Sequence, residues 1–282
     1  MDLDRELEWR GRRVRWARLG EGPAVVLCHG TPWSSWVWAP FAEALAADHA
    51  VHVWDMPGYG RSSKDPGHAV SLDVQGEVLA DLLAHWGLDA PHMVAHDYGG
   101  AVALRAHLLH GRPFASLALV DVVALAPWGS EFFRLVREHA DVFAALPPAV
   151  HEGAVRAYVS GAAHRPLPDD ALDSLVAPWR GPEGQAAFYR QIAQADQRWT
   201  DDVEPRYPTI DVPTLVVWGE EDAWLPLEQG RRLAATIPGA RLETVPGAGH
   251  LVQLDQPVRL ATVLHRWLAE RTSSGPSARP GR

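Results

Sequence analysis

Three side chains stand in an order that could carry covalent hydrolysis: Asp97, Asp222 and His250. A carboxylate can attack an electrophilic carbon, and an imidazole can deprotonate the water that follows. A second carboxylate can fix the imidazole's tautomer by accepting its N–H. Each residue lies just past an apolar run. Asp97 follows Met93-Val94-Ala95-His96, and Asp222 follows Leu215-Val216-Val217-Trp218-Gly219-Glu220-Glu221. His250 ends the loop Pro246-Gly247-Ala248-Gly249 and has no metal-ligand partner at a useful spacing. Two alternatives stay open at this point. Asp97 could cap a helix starting at Gly99 or Gly100. Asp121, which ends the preceding strand, could take the acid role instead of Asp222.

The elements needed to position these groups are legible in the order of the chain. Leu7 to Leu19 reads as a hairpin turning near Gly11, and Ala24–Cys28, Ala50–Trp54, Met93–Ala95 and Ser116–Val120 read as strands. Their continuous apolar runs suit strands covered on both faces. Phe41–Ala47, a run opening at the candidate cap Ser71, and Ala101–His110 carry helical spacing between them. Strands alternating with helices predict an α/β fold with a mostly parallel sheet and helices on both faces. In such sheets functional groups gather at the carboxyl ends of the strands.

The alternation stops after Asp121. Stripes such as Phe132, Leu135, Val136, His139 and Phe143 predict an all-helical insertion over 124–207, laid over the strand ends as a cap. The core is therefore expected in two parts, 1–123 and 208–271. The second part holds the strand at Thr214, a helix Leu227–Ile237, the strand Arg241–Val245 and a final helix Pro257–Glu270. Residues 272–282 have nothing apolar to bury and are expected to be a disordered tail.

Composition narrows the function. The chain has 282 residues, 47% of them apolar and 22% charged, with a net charge of −9. That is the balance of a soluble globular protein, and it argues against nucleic-acid binding. The basic cluster Arg10, Arg12, Arg13, Arg15 and Arg18 alternates with Trp9, Val14 and Trp16, as a solvated strand face does. The single cysteine, Cys28, forbids an intrachain disulfide. With neither an N-terminal apolar leader nor a run long enough to span a membrane, a cytoplasmic location is expected. Oligomeric state leaves no mark in the sequence.

Taken together, these residues make the chain resemble the α/β-hydrolase family over roughly residues 7 to 270. His96-Asp97-Tyr98-Gly99-Gly100 resembles the strand-turn-helix elbow of members with an Asp nucleophile, the epoxide hydrolases and the haloalkane or haloacid dehalogenases. The resemblance implies a cofactor-independent hydrolase with an all-helical cap. Asp97 would form an alkyl ester, favoured as a carboxylate by the helix N-terminus. His250, held by Asp222, would activate water to hydrolyse it. The backbone N–H groups of Tyr98 and Thr31 would form the oxyanion hole. Metal and cofactor are not expected, and the partners are a small apolar organic substrate and water.

The leaving group divides the two subsets. Dehalogenases of this type usually place Trp after the nucleophile and Asn after the His-Gly pair, where this chain has Tyr98 and Thr31. Thr31-Pro32-Trp33-Ser34-Ser35-Trp36 nevertheless resembles a dehalogenase. Epoxide hydrolases use cap tyrosines as acids, one of them in an aromatic-Tyr-Arg run resembling Phe188-Tyr189-Arg190. Tyr189 is thus the expected acid, with Tyr158 as a fallback for the other tyrosine. Trp33, Trp36, Trp128, Phe132 and Tyr158 are expected to line an apolar pocket. Epoxide hydrolysis is the leading expectation and dehalogenation the alternative. Ester or carbon–carbon hydrolysis follows, since those relatives usually use Ser, and a non-catalytic ligand-binding homologue comes last.

Overall fold

The computed structural model describes residues 1–272. Eight strands form one sheet: β1 (Arg5–Trp9), β2 (Arg12–Leu19), β3 (Ala24–Cys28), β4 (Ala50–Trp54), β5 (His92–Asp97), β6 (Ser116–Val122), β7 (Thr214–Gly219) and β8 (Arg241–Val245). Their spatial order is β1-β2-β4-β3-β5-β6-β7-β8. Only the β1/β2 and β2/β4 pairings are antiparallel; every other pairing is parallel. β4, β5, β6 and β7 are buried at every position. Helices cover both faces, so these strands carry Val, Ala and Leu without the alternation of a one-sided sheet.

The helices before the insertion are α1 (Ala39–Leu45), α2 (Leu72–His85) and α3 (Tyr98–Leu108). α2 buries Gln75, Val78, Leu79, Leu82 and Leu83, the stripe expected from its spacing. Ser71 occupies its N-cap position, but its side chain makes no capping bond. α3 begins at Tyr98, three residues before the expected start, because the chain turns into helix directly at Asp97.

The predicted helical insertion lies between β6 and β7. It comprises α4 (Glu131–Glu138), α5 (Ala140–Ala144), α6 (Pro148–Ser160), α7 (Asp169–Val176), α8 (Gly181–Ala193) and α9 (Arg198–Asp201), with 3₁₀ turns at Ala177–Trp179 and Glu204–Thr209. Its own core is aromatic: Trp179, Phe188 and Tyr189 are fully buried. Truncating such a side chain to Ala typically costs about 3–5 kcal/mol, so the insertion is a packed layer in its own right. Polar bonds tie it to the core. Trp179 Nε1 donates to the Pro32 carbonyl at 2.9 Å, and the Leu251 N–H donates to the Ala162 carbonyl at 3.2 Å.

After β7 come α10 (Leu227–Thr236), α11 (Val252–Asp255) and α12 (Pro257–Thr272). α11 and a 3₁₀ turn at Ser35–Trp38 are too short to leave a periodic signal in the sequence. Cys28 is buried as a free thiol, and burial pushes its pKa far up. Among the described residues, no helix is long and apolar enough to cross a membrane. The expected tail, beyond Thr272, lies outside the described residues.

Candidate active site

Asp97 ends β5 and sits at φ 51°, ψ −122°, outside the regions that an L-residue normally occupies. Such strain persists only where neighbours over-determine it. Here Gly99 and Gly100 allow the close approach behind the turn. A Cβ on Gly99 would lie 2.6 Å from the Cys28 carbonyl oxygen, and one on Gly100 would lie 2.3 Å from Val122 Cβ. The consequence is that the Asp97 side chain leaves the helix axis and caps nothing: it makes no capping bond to α3. Its Oδ1 instead accepts the Thr31 N–H at 2.6 Å.

The structure brings Asp97, Asp222 and His250 together. His250 Nε2 is 3.2 Å from Asp97 Oδ2, and its Nδ1 is 2.8 Å from Asp222 Oδ2. The other oxygen of Asp222 accepts the N–H groups of Trp224 and Leu225 at 2.8 and 2.9 Å. Burial opposes protonation of His250, but the charge and hydrogen bond of Asp222, then those of Asp97, outweigh it. The imidazole is therefore held well above its ordinary value as a cation between two carboxylates. Burial likewise opposes ionisation of Asp222, yet the His250 partner wins and lowers it.

Asp121 behaves differently. It is fully buried, and its Oδ1 accepts the Gly219 N–H at 2.8 Å. Burial, followed by the nearby charge of Asp222, pushes its pKa well above the usual carboxylate range. Among the described residues His250 hydrogen-bonds Asp222 and not Asp121.

The loop carrying His250 is fastened on three sides. His96 Nε2 donates to the His250 carbonyl at 2.8 Å, and burial lowers His96 to about 3, so that ring is neutral. The Leu251 N–H is taken by Ala162 of the insertion. The Gly249 N–H donates to Asp255 Oδ2 at 2.9 Å, and the same carboxylate accepts the His164 and Arg165 N–H groups at 2.8 and 3.1 Å. His29 steadies the opposite loop: its Nδ1 donates to the Gly30 carbonyl, and its Nε2 accepts the Met56 N–H at 3.0 Å.

A cavity of about 320 Å³ opens above Asp97 and His250. Of the expected pocket residues Trp128 and Tyr158 line it, as do Thr31 and Tyr98, expected at the oxyanion hole. Trp128 Nε1 is committed to Thr200 Oγ1 at 2.8 Å. Trp33 is buried one layer back, stacked at 5.8 Å on Trp224, which itself lines the cavity. Three further expected residues lie outside the wall. Tyr189 is not in the cavity wall: His151 Nε2 donates to the Trp179 carbonyl, so its Nδ1 accepts the Tyr189 hydroxyl at 2.9 Å. Trp36 is 36% exposed, because the tight Ser35–Trp38 turn buries Ser35, Val37 and Trp38 and points Trp36 outward. Phe132 packs on Phe143, Tyr158 and Phe188, and Phe133, one residue further round α4, takes the wall position.

Sequence reasoning missed Trp224 and Gln229. Trp224 stacks on Tyr158 at 4.5 Å and meets the His250 ring at 5.0 Å, tilted by 30°. Its position two residues after Asp222 was the available signal. Tyr158 is a neutral phenol: burial, then the Asp97 charge, raise its pKa well above the usual value.

Residues 23–257 match the family described as the alpha/beta hydrolase fold. The chain is similar to an alpha/beta hydrolase fold protein from Burkholderia ambifaria whose crystal structure is known, with 47% identity and a TM-score of 0.91 over 94% of this chain and 97% of that one. A thermophilic esterase from Thermogutta terrifontis is 26% identical, with a TM-score of 0.75, over 92% and 94% of the two chains. Haloalkane dehalogenase 2 of Mycobacterium tuberculosis is 26% identical over 268 residues, 89% of this chain and 90% of that protein. The sheet order, the strained turn at Asp97 and a family match over most of the chain all lead to one conclusion: this chain belongs to the alpha/beta hydrolase fold family.

Proposed function

We propose that the protein is a hydrolase that forms a covalent alkyl ester on Asp97, and that its substrates are epoxides. One observation carries this reading: the cavity floor is a carboxylate with one oxygen on a backbone N–H and the other facing an imidazole. Asp97 Oδ2 attacks an epoxide carbon, and the C–O bond breaks. Tyr158 supports the epoxide reading, since it is a neutral phenol in the cavity wall and can give its proton to the departing alkoxide.

Esterification removes the charge of Asp97 and with it part of what keeps His250 protonated. His250 then releases its proton, which balances in net terms the one that Tyr158 gave up. The neutral imidazole takes a proton from water as the water oxygen attacks Asp97 Cγ. Oδ1 becomes the oxyanion, on the Thr31 N–H and, as we further propose, the Tyr98 N–H. Collapse of this intermediate releases a diol, whose oxygen takes the proton back from His250. The second water proton then passes from the Asp97 carboxyl to His250, restoring the ion pair.

Haloalkane hydrolysis is the second reading. Halide departure needs an N–H donor. Trp33 Nε1 is buried without a partner among the described residues, and its ring stacks on cavity-lining Trp224. The experiment is intact-mass measurement of His250→Gln after incubation with each substrate class. An epoxide adds its whole mass at Asp97, and a haloalkane adds only its alkyl group. If a folded variant acquires no adduct from either class, the alkyl-enzyme reading fails.

A further inference from the structure

The wall of the catalytic cavity is mostly apolar, with Val123, Trp128, Phe133 and Leu225 facing the space above Asp97. Polar side chains interrupt it, among them Gln229, 7% exposed, and Tyr98, 4% exposed. Among the described residues neither Gln229 Oε1 nor the Tyr98 hydroxyl has a hydrogen-bond partner. A buried polar atom without a partner is costly, and in a cavity wall the missing partner can be a ligand atom.

The identity of the unpaired Gln229 atom follows from its neighbour. Gln229 Nε2 donates to the Pro127 carbonyl at 2.6 Å, and a reversed amide would set two oxygens against each other there. The atom left over is thus an acceptor. Tyr98, whose ring meets Trp128 edge-on at 5.7 Å, keeps its proton and can donate it. Both side chains are packed against the Pro127–Trp128 segment, so an acceptor and a donor share one side of the cavity.

We propose that Gln229 and Tyr98 form a hydroxyl-recognising subsite, and that the natural substrate carries an alcohol group away from its reacting carbon. An alcohol gives one hydrogen bond and takes another through a single oxygen, as this pair requires. An ether only accepts, and a hydrocarbon does neither. An ammonium would need an unpaired carboxylate, whereas Asp97, the carboxylate in the cavity wall, faces His250. The inference rests on the cavity of the proposed function but not on the chemistry assigned to Asp97.

Binding without turnover tests it. Titration calorimetry compares 3-phenylpropan-1-ol with its methyl ether, with propylbenzene and with 3-phenylpropylamine. On the native protein the alcohol is expected to bind about tenfold or more tightly than the ether and the hydrocarbon. Gln229→Met and Tyr98→Phe, each checked for folding by circular dichroism, should each shrink that gap. Equal binding of ether or hydrocarbon, tighter binding of the amine, no binding of the alcohol, or a gap that survives both variants overturns the subsite. The series on the native protein can overturn the subsite even if a variant does not fold. No covalent step enters these measurements, so a failure of the alkyl-enzyme reading leaves their outcome independent.

Discussion

Asp255 Oδ2 accepts the N–H of Gly249 at 2.9 Å, one residue before His250, while its carboxylate also holds the insertion at His164 and Arg165. One buried side chain thus joins the imidazole loop to the helical layer above it. Since His250 is needed only for ester hydrolysis in the proposed mechanism, loosening this joint should affect the second step. Asp255→Ala is expected to lose about 3 kcal/mol of stability, from backbone donors left without an acceptor. Rapid-quench kinetics should show hydrolysis slowed more than alkylation, with ester accumulating on Asp97. Equal slowing of both steps would make Asp255 a purely structural residue.

The two tyrosines make opposite predictions. Tyr158 lines the cavity, and Tyr189 spends its proton on His151. Tyr158→Phe should slow epoxide opening by about 10²- to 10⁴-fold and leave hydrolysis of a preformed ester little changed. Tyr189→Phe should leave the opening rate within about threefold, with its cost seen in melting temperature because a buried hydrogen bond is lost. A large rate loss in Tyr189→Phe alone would return the acid role to it.

The two acids near His250 are separable in the same way. Asp222 takes the imidazole N–H, whereas burial and the charge of Asp222 raise the pKa of Asp121 beside it. Asp222→Asn keeps the shape but disfavours the useful tautomer, and hydrolysis should fall by about 10³- to 10⁴-fold. Asp121→Asn replaces a carboxyl whose ionisation burial opposes by a neutral amide of the same shape and should cost about tenfold or less. The reverse ranking, measured by single-turnover hydrolysis, would exchange their roles.

The pH dependence follows from which state holds the proton. In the free enzyme His250 is cationic, its pKa raised by Asp222 and Asp97. Alkylation does not require it neutral, so that step should be flat from about pH 6 to about pH 8, while hydrolysis should rise with pH across the same range. The stability effect has the opposite sign. A histidine whose folded pKa is raised stabilises fully below its unfolded value of 6.5 and loses that contribution as pH climbs through the folded value. His250→Gln should therefore lower the melting temperature more at about pH 6 than at high pH. A pH-independent difference between the two proteins would remove His250 as the source.

Much of this molecule is written locally. The buried strands β3 and β4 are apolar runs with turn residues at their ends, so their bounds are readable from the chain itself. The order Asp97, Asp222, His250 is equally visible, because each follows a strand and the strand ends of a parallel sheet share one edge. Which aromatic side chains reach the cavity is a different kind of fact. Tyr158 and Tyr189 are both cap tyrosines in sequence, yet one lines the cavity and the other turns to His151, a partner 38 residues away. Phe132 and Phe133 differ by one helical step, and that step decides which ring meets the cavity. Asp255 joins segments about ninety residues apart through N–H groups that every residue but proline carries, so no residue type announces it. Strand positions and the triad order follow from local pattern and topology, whereas the cavity wall and the clamp on His250 follow from packing between distant segments.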